Sequence, residues 1–296
     1  MATILYGNGI NRLHPDAPSW ENMLKKLETK SNASLNAGIP PTIQYDKIEI
    51  ISTRPSNILL KDMCETIKGP WQNPIYARLS QLHGVNFLTT NYDHTLESYF
   101  SSFLKSYKQE TVYNIFSYMA TTNEPQDSKF NRCNIWHIHG DVNRPKSIIL
   151  GYDHYCKEIA EIRKYMPSDF RNIARTNTSS SKSLQSLSLL GESWIDLIFK
   201  DDIFIIGLGL GFAELDLWWL LDIWSRLKRM GIVYNKIYYY DAILQDNIDN
   251  IDNIKESFKD TLSCFGIEYI AYKFPTYMEA YDMCMSDIEN KLSNPS

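Results

Sequence analysis

The 296-residue sequence predicts an α/β fold: a Rossmann-like, mainly parallel sheet with helices on both faces and a small helical module inserted into it. Three observations predict this. Short runs of β-branched and aromatic residues recur along the chain, as buried strands require. Segments of helical period separate several of these runs, which is the signature of parallel strands joined by crossovers. Two of the runs end in glycine turns that lead towards a helix.

Residues 3–6 (TILY) form the first expected strand. Ser19, after the Pro18 turn, is a plausible N-cap for a helix over 19–28. Residues 85–89 (VNFLT) and 135–138 (IWHI) are the next strands, and 147–150 (SIIL) reads as a short strand or an edge. Residues 203–206 (IFII) are strongly strand-like; Leu217, Leu220, Leu221, Trp224 and Leu227 then repeat at helical spacing. Residues 236–240 (KIYYY) and 266–272 (GIEYIAY) complete the strands, and 277–292 form a terminal amphipathic helix. The tandem Ile-Asp-Asn at 248–253 reads as an exposed helix start, where acids meet the positive end of the helix dipole.

Two regions interrupt the alternation. Residues 29–80 are polar and contain prolines; residues 151–192 begin as a Tyr-rich helix and pass through the Ser-rich tract TNTSSSKSLQS. These two segments are expected to build the helical module within one domain spanning 1–296.

Composition excludes several function classes. With 44% hydrophobic and 22% charged residues the chain can fill a globular core. The net charge of -5, with no run of five basic residues, argues against direct nucleic-acid binding. Five widely spaced cysteines without a C-x-x-C pair point to buried, reduced thiols rather than disulfides or a four-cysteine zinc site. The opening MATILYGNGINRL lacks a basic region followed by a long apolar one, and the apolar windows IFIIGLGLGF and LDLWWLLDIW are interrupted by Gly, Glu or Asp. A cytoplasmic protein that does not enter the membrane is therefore expected. The 19 Tyr, 12 Phe and 7 Trp suit a deep core and also self-association into a homo-oligomer. The Trp218-Trp219 pair is a possible contact for assembly, with helix packing its plainer use.

Four signals carry chemistry. Gly7-x-Gly9 follows the first strand and can bring backbone N–H groups against a phosphate, although Arg12 stands where a third glycine is usual. Gly207, Gly209 and Gly211 follow IFII, and the next strand runs to Asp241, which is placed to hold ribose hydroxyls. Read alone, that set suggests a dehydrogenase. The strand VNFLT ends in a polar cluster of Thr89, Thr90, Asn91, Asp93 and His94, at the kind of strand end where ligands meet a parallel sheet. In NIWHIHGD, His137, His139 and Asp141 would form a metal set only if the strand stayed regular; Gly140 ends it, so His139 is the better site base and no metal is expected.

In this order the four signals resemble the sirtuin (Sir2-like) superfamily: Gly7-Asn8-Gly9-Ile10-Asn11, Thr89-Thr90-Asn91-Tyr92-Asp93, His139-Gly140 and Gly207-Leu208-Gly209. Ala17-Pro18-Ser19-Trp20 and Glu214-Leu215-Asp216 are similar to segments of bacterial sirtuin-like defence proteins. The departures are Asn8, Asn11 and Gly209, where the pattern has Ala, Ser and Ser, and the lack of cysteine pairs for the zinc ribbon of deacylases. The resemblance implies an NAD⁺ glycohydrolase acting in antiviral (antiphage) defence, with NAD⁺ as substrate, gated by assembly or by a HerA-type ring ATPase. It implies that Asn91 orients a water and a ribose hydroxyl while His139 accepts a proton. Asp93 would meet the nicotinamide carboxamide, Thr90 would belong to the same cofactor-binding motif, and Gly7, Gly9 and Asn11 would line the pyrophosphate loop. Gly207, Gly209 and Asp241 would lie towards the adenosine. An NAD⁺-binding sensor without turnover and an NAD-dependent lysine deacylase are the alternatives.

Overall fold

The structure, a computed structural model, describes residues 1–31, 38–106, 114–122, 133–166, 193–245 and 252–294. The Ser-rich tract lies outside these residues, as does the 248–251 part of the tandem Ile-Asp-Asn. Its centre is an eight-stranded sheet in the order β3-β4-β5-β2-β1-β6-β7-β8. The strands are β1 (Ala2–Tyr6), β2 (Val85–Thr89), β3 (Ser102–Ser106), β4 (Tyr118–Thr122), β5 (Cys133–His137), β6 (Asp202–Ile206), β7 (Ile237–Leu244) and β8 (Glu268–Phe274). From β5 through β2, β1, β6 and β7 to β8 every pairing is parallel. β3 and β4 add an antiparallel edge to β5.

Two differences from the sequence expectation concern this sheet. β3 and β4 were not expected, because YMATT and SFLKS contain no continuous apolar run. Residues 147–150 are not a strand: a 3₁₀ turn covers Pro145–Ser147. The apolar character of the next residues serves burial instead, and the backbone of Ile149 is satisfied by His139 and Tyr92 rather than by a ladder.

Alternation along each strand feeds two cores. Leu5, Ile203, Ile205, Ile237 and Tyr239 face one layer, which contains α7 (Trp194–Lys200), α8 (Leu215–Arg229) and Leu262 of α9 (Asp252–Phe265). Ile4, Tyr6, Phe87, Phe204, Ile206 and Tyr240 face the other, against α5 (Pro74–Ser80) and α10 (Tyr277–Ser293). Sheets covered on both sides bury both side-chain registers, which explains the nearly unbroken apolar runs. Trp218 lies edge-on to Phe258 and Phe265, and its indole N–H donates to Leu210 O. That residue serves helix packing.

A third core joins α2 (Trp20–Ser31), α3 (Pro41–Ile51) and α4 (Ser56–Thr66) through Met23, Leu27, Tyr45, Ile48 and Met63. Ser19 caps α2, its Oγ accepting from Asn22 N at 3.1 Å. The helix α5, though within 29–80, packs on the sheet. Helix α6 (Tyr152–Tyr165) makes contacts with both α3 and α8. All five cysteines are free; Cys64, Cys133 and Cys284 are buried as expected, whereas Cys156 and Cys264 are exposed. No helix among the described residues is long and apolar enough to cross a membrane.

Candidate active site

The chain leaves β1 on one side to build β2 and β5, then returns to β1's other edge with β6. Strand order therefore reverses at β1, and a crevice outside the carboxyl ends of the strands is where such sheets take ligands. Those ends carry the residues of interest: Gly7 follows β1, Thr90 and Asn91 follow β2, His139 lies two residues beyond β5, and Gly207 follows β6. A cleft of about 490 Å³, its open mouth included, is lined there by Asn8, Asn11, Trp20, Trp71, Thr90, Asn91, Asp93, His139 and Glu214, among others.

The glycines have a different place from the one their motifs suggest. Gly9 N donates to Gly207 O at 2.8 Å and Gly7 N to Ile206 O at 3.3 Å. A Cβ at Gly9 would lie 2.6 Å from Tyr281 Oη and 2.7 Å from Gly207 O. These glycines let two strand-to-helix turns touch, which only a residue without a Cβ permits. Gly7, Gly9, Gly207 and Gly209 do not line the cleft, nor does Asp241. The Asp241 carboxylate accepts from Tyr269 Oη at 2.6 Å and lies 3.4 Å from Lys255 Nζ. The structure thus brings together Asn11, Thr90, Asn91, Asp93 and His139 and leaves the two glycine turns and Asp241 behind them.

A directed hydrogen-bond chain fixes Asn91. Its Nδ2 donates to Tyr76 Oη at 3.2 Å; Tyr76 Oη donates to Asn11 Oδ1 at 2.5 Å; Asn11 Nδ2 donates to Asp93 Oδ2 at 2.7 Å. Because the carboxylate accepts only, the direction of every link, and hence the orientation of both amides, follows from Asp93. Thr95 N and its hydroxyl donate to the other oxygen of Asp93. Burial raises the Asp93 pKa, and these hydrogen bonds oppose the shift. Tyr76 was not legible as a site residue: it sits in an ordinary amphipathic helix, and only the fold brings it to Asn91.

His139 is enclosed by acids. Its Nε2 lies 3.0 Å from Asp216 Oδ2 and its Nδ1 3.6 Å from Glu214 Oε2, while Tyr155 meets the ring edge-on. Burial lowers the pKa of the imidazole, but Asp216, then Glu214 and Glu158, outweigh it and raise the ring to about 9. The acids therefore favour the protonated ring, and His139, expected as a lone site base, stands as one half of a pair with Asp216. The partnership was present in the sequence only as the Glu214-Leu215-Asp216 segment of the resemblance.

Glu158 completes this cluster from α6. It is fully buried, and among the described residues neither carboxylate oxygen has a hydrogen-bond partner. Burial and the nearby Asp216 raise its pKa to about 8, with His139 opposing. An acid whose folded pKa lies above its unfolded value loses stability as pH rises from the unfolded pKa to the folded one. The stability cost is absent below about pH 4.5 and complete above about pH 8. Glu158→Gln is expected to gain stability relative to the parent across this window, by about 2–4 kcal/mol at its upper end. Urea unfolding of both proteins at pH 5 and pH 9 checks this; a difference that does not change with pH would count against it.

A second cluster lies behind Asn91. Glu97 Oε1 is 2.6 Å from His137 Nε2 and 3.6 Å from His94 Nδ1, and His137 Nδ1 is 2.8 Å from Asn91 O. Burial opposes ionisation of both His94 and Glu97. The ion pairs prevail, raising His94 to about 9 and lowering Glu97 to about 2. His137 and His139 diverge, as expected from Gly140, and belong to separate clusters.

Residues 85–186 match the family model described as SIR2-like domain. A search of curated proteins gave no match. The SIR2-like segment contains Asn91, Asp93 and His139, so the match falls on the strand ends that line the cleft. It supports a Sir2-like family assignment and an NAD-related function, since SIR2-like family members are NAD-dependent enzymes that bind NAD⁺.

Proposed function

We propose that the chain is an NAD⁺ glycohydrolase that releases nicotinamide and ADP-ribose. The observation that carries this is the convergence of a rigidly held Asn91 and an acid-paired His139 on one cleft at the strand-order switch. Cleaving the nicotinamide–ribose bond expels a neutral leaving group and builds positive charge on the sugar, as in other glycoside chemistry. No strong general acid is needed. What the site must supply is a placed water and negative potential beside the sugar. Asn91 orients the water, while Asp93 and Glu214 provide acidic groups at the cleft wall. The water's oxygen joins the sugar carbon as the bond to nicotinamide breaks; its proton passes to the Glu214 carboxylate at the cleft wall, which His139, paired with Asp216, holds in place, and from there to solvent.

Asp216 acts through His139 and is a positioning residue. Asp216→Asn keeps a hydrogen-bond partner but removes the charge, so kcat is expected to fall on the order of 10²-fold while KM for NAD⁺ stays within about twofold. A rise in KM with kcat unchanged would assign Asp216 to binding instead. Uncontrolled NAD⁺ loss would kill the host, so the activity is gated by self-association or by a partner. In the antiviral (antiphage) setting that the resemblance implies, a HerA-type ring ATPase is the proposed partner.

One observation favours a second reading. The Gly9 N–H is used by Gly207 O and the Gly7 N–H by Ile206 O, so two expected phosphate donors are engaged by protein. A chain that binds NAD⁺ without turning it over fits that arrangement, and binding without nicotinamide release would select it.

A further inference from the structure

The cluster of His94, Glu97 and His137 takes no part in the proposed hydrolysis, and its geometry calls for a separate account. We infer that these three side chains form a binding site for a divalent transition metal of the zinc class, seated behind the Asn91 loop. The metal-binding atoms of the three residues lie within 4.8 Å of one another. Two imidazole nitrogens and one carboxylate oxygen are a donor set suited to Zn²⁺, with a fourth tetrahedral position left for water.

The outer atoms argue for ligation more strongly than the inner ones. Metal-bound imidazoles use their second nitrogen to hold a carboxylate or a backbone carbonyl, which fixes the ring and its tautomer. Both outer nitrogens are engaged: His94 Nε2 lies 3.3 Å from Asp141 Oδ1 and 2.9 Å from the Asn143 side-chain amide, and His137 Nδ1 lies 2.8 Å from Asn91 O. Asp141 is itself fixed, its Oδ2 accepting from Arg144 Nε at 3.0 Å. The nitrogens turned inward are therefore His94 Nδ1 and His137 Nε2, the two that face Glu97.

Glu97 supplies the independent observation. Its carboxylate is 97% buried, yet Oε2 has no hydrogen-bond partner among the described residues. A buried carboxylate oxygen left unsatisfied by protein needs another partner, and a metal ion or its bound water is one. His94 is 20% exposed and gives the ion a path from solvent. The other compact group, His139 with Glu214 and Asp216, has one nitrogen and belongs to the cleft. The metal assignment does not rest on the NAD⁺ reading, and it replaces the sequence expectation that no metal is bound.

The test is titration of the chelator-treated full chain with ZnCl₂ alone, followed by calorimetry, with CoCl₂ as a spectroscopic probe of four-coordinate geometry. One equivalent per chain is expected. His94→Ala and Glu97→Gln should each weaken zinc binding by more than tenfold, and Asp141→Asn by about 10–100-fold as an outer partner. Asp216→Asn should leave zinc affinity unchanged. Failure of the parent chain to bind a stoichiometric equivalent overturns the site whatever the variants do. Binding that survives both His94→Ala and Glu97→Gln, or that is lost in Asp216→Asn, overturns the assignment to these residues.

Discussion

Replacing Asn91 by alanine is expected to lower kcat/KM for NAD⁺ on the order of 10²–10³-fold, the usual cost of removing one group that places or stabilises the reacting centre. The fold should survive. Asn91 contributes one side-chain donor to Tyr76, and Tyr76 Oη keeps its bond to Asn11 Oδ1, so the loss to stability is about 1 kcal/mol. The contrast between the two effects is the point of the experiment. Asn91 spends its Nδ2 on the chain that ends at Asp93, which leaves its amide oxygen for the cleft. Steady-state nicotinamide release with a urea melt on the same preparation measures both. Activity within a few-fold of the parent would remove Asn91 from the mechanism.

The second large effect is on stability. Gly140 has φ +94, and a Cβ there would stand 2.2 Å from Ser147 O and 2.5 Å from its carbonyl carbon. Both obstacles are backbone, so neither a rotamer change nor a small side-chain shift relieves them. Gly140→Ala is expected to cost about 3 kcal/mol or more through backbone strain and overpacking. The damage would also reach the site. Residue 140 joins His139 to Asp141, and Ile149 N donates to His139 O at 2.9 Å across the same turn. A midpoint shift in urea of the size expected, with lost activity in the fraction that stays folded, is the predicted pair of results. A variant less than about 1 kcal/mol from the parent would contradict the turn's geometry.

The residues that were legible share one property. Asn91, Asp93 and His139 directly follow apolar runs, so their position at strand ends could be read from local sequence. The glycines were legible as turns, but not in purpose: whether a Gly–x–Gly turn faces phosphate or another turn depends on Tyr281 and Gly207, both far away in the chain. Tyr76, Glu97 and Glu158 were missed for the same reason. Each lies in an unremarkable local context and gains its role from a neighbour across the fold. Glu97 did leave a faint trace, since it stands three residues after His94. Its real partner, His137, is 40 positions away. The strands β3 and β4 were missed because antiparallel edge strands need only a short alternating pattern, which YMATT barely shows.

The electrostatics also changed the picture of His139. An isolated imidazole titrates near neutrality, and nothing local to IHGD indicates otherwise. Three acids shift it, Glu158 on α6, Asp216 on α8 and Glu214 just before α8, and they are found only by folding these elements over the strand end. The site is better described as a histidine–aspartate pair next to acidic cleft walls than as a lone base. That description suits a reaction in which a cation forms and water attacks.

The most direct test is the fate of NAD⁺ itself. The full chain, assembled as it occurs in solution and incubated with NAD⁺, should release nicotinamide and ADP-ribose in equal amounts, and His139→Ala should stop both. Recovery of intact NAD⁺ from a chain that demonstrably binds it would contradict the hydrolase reading.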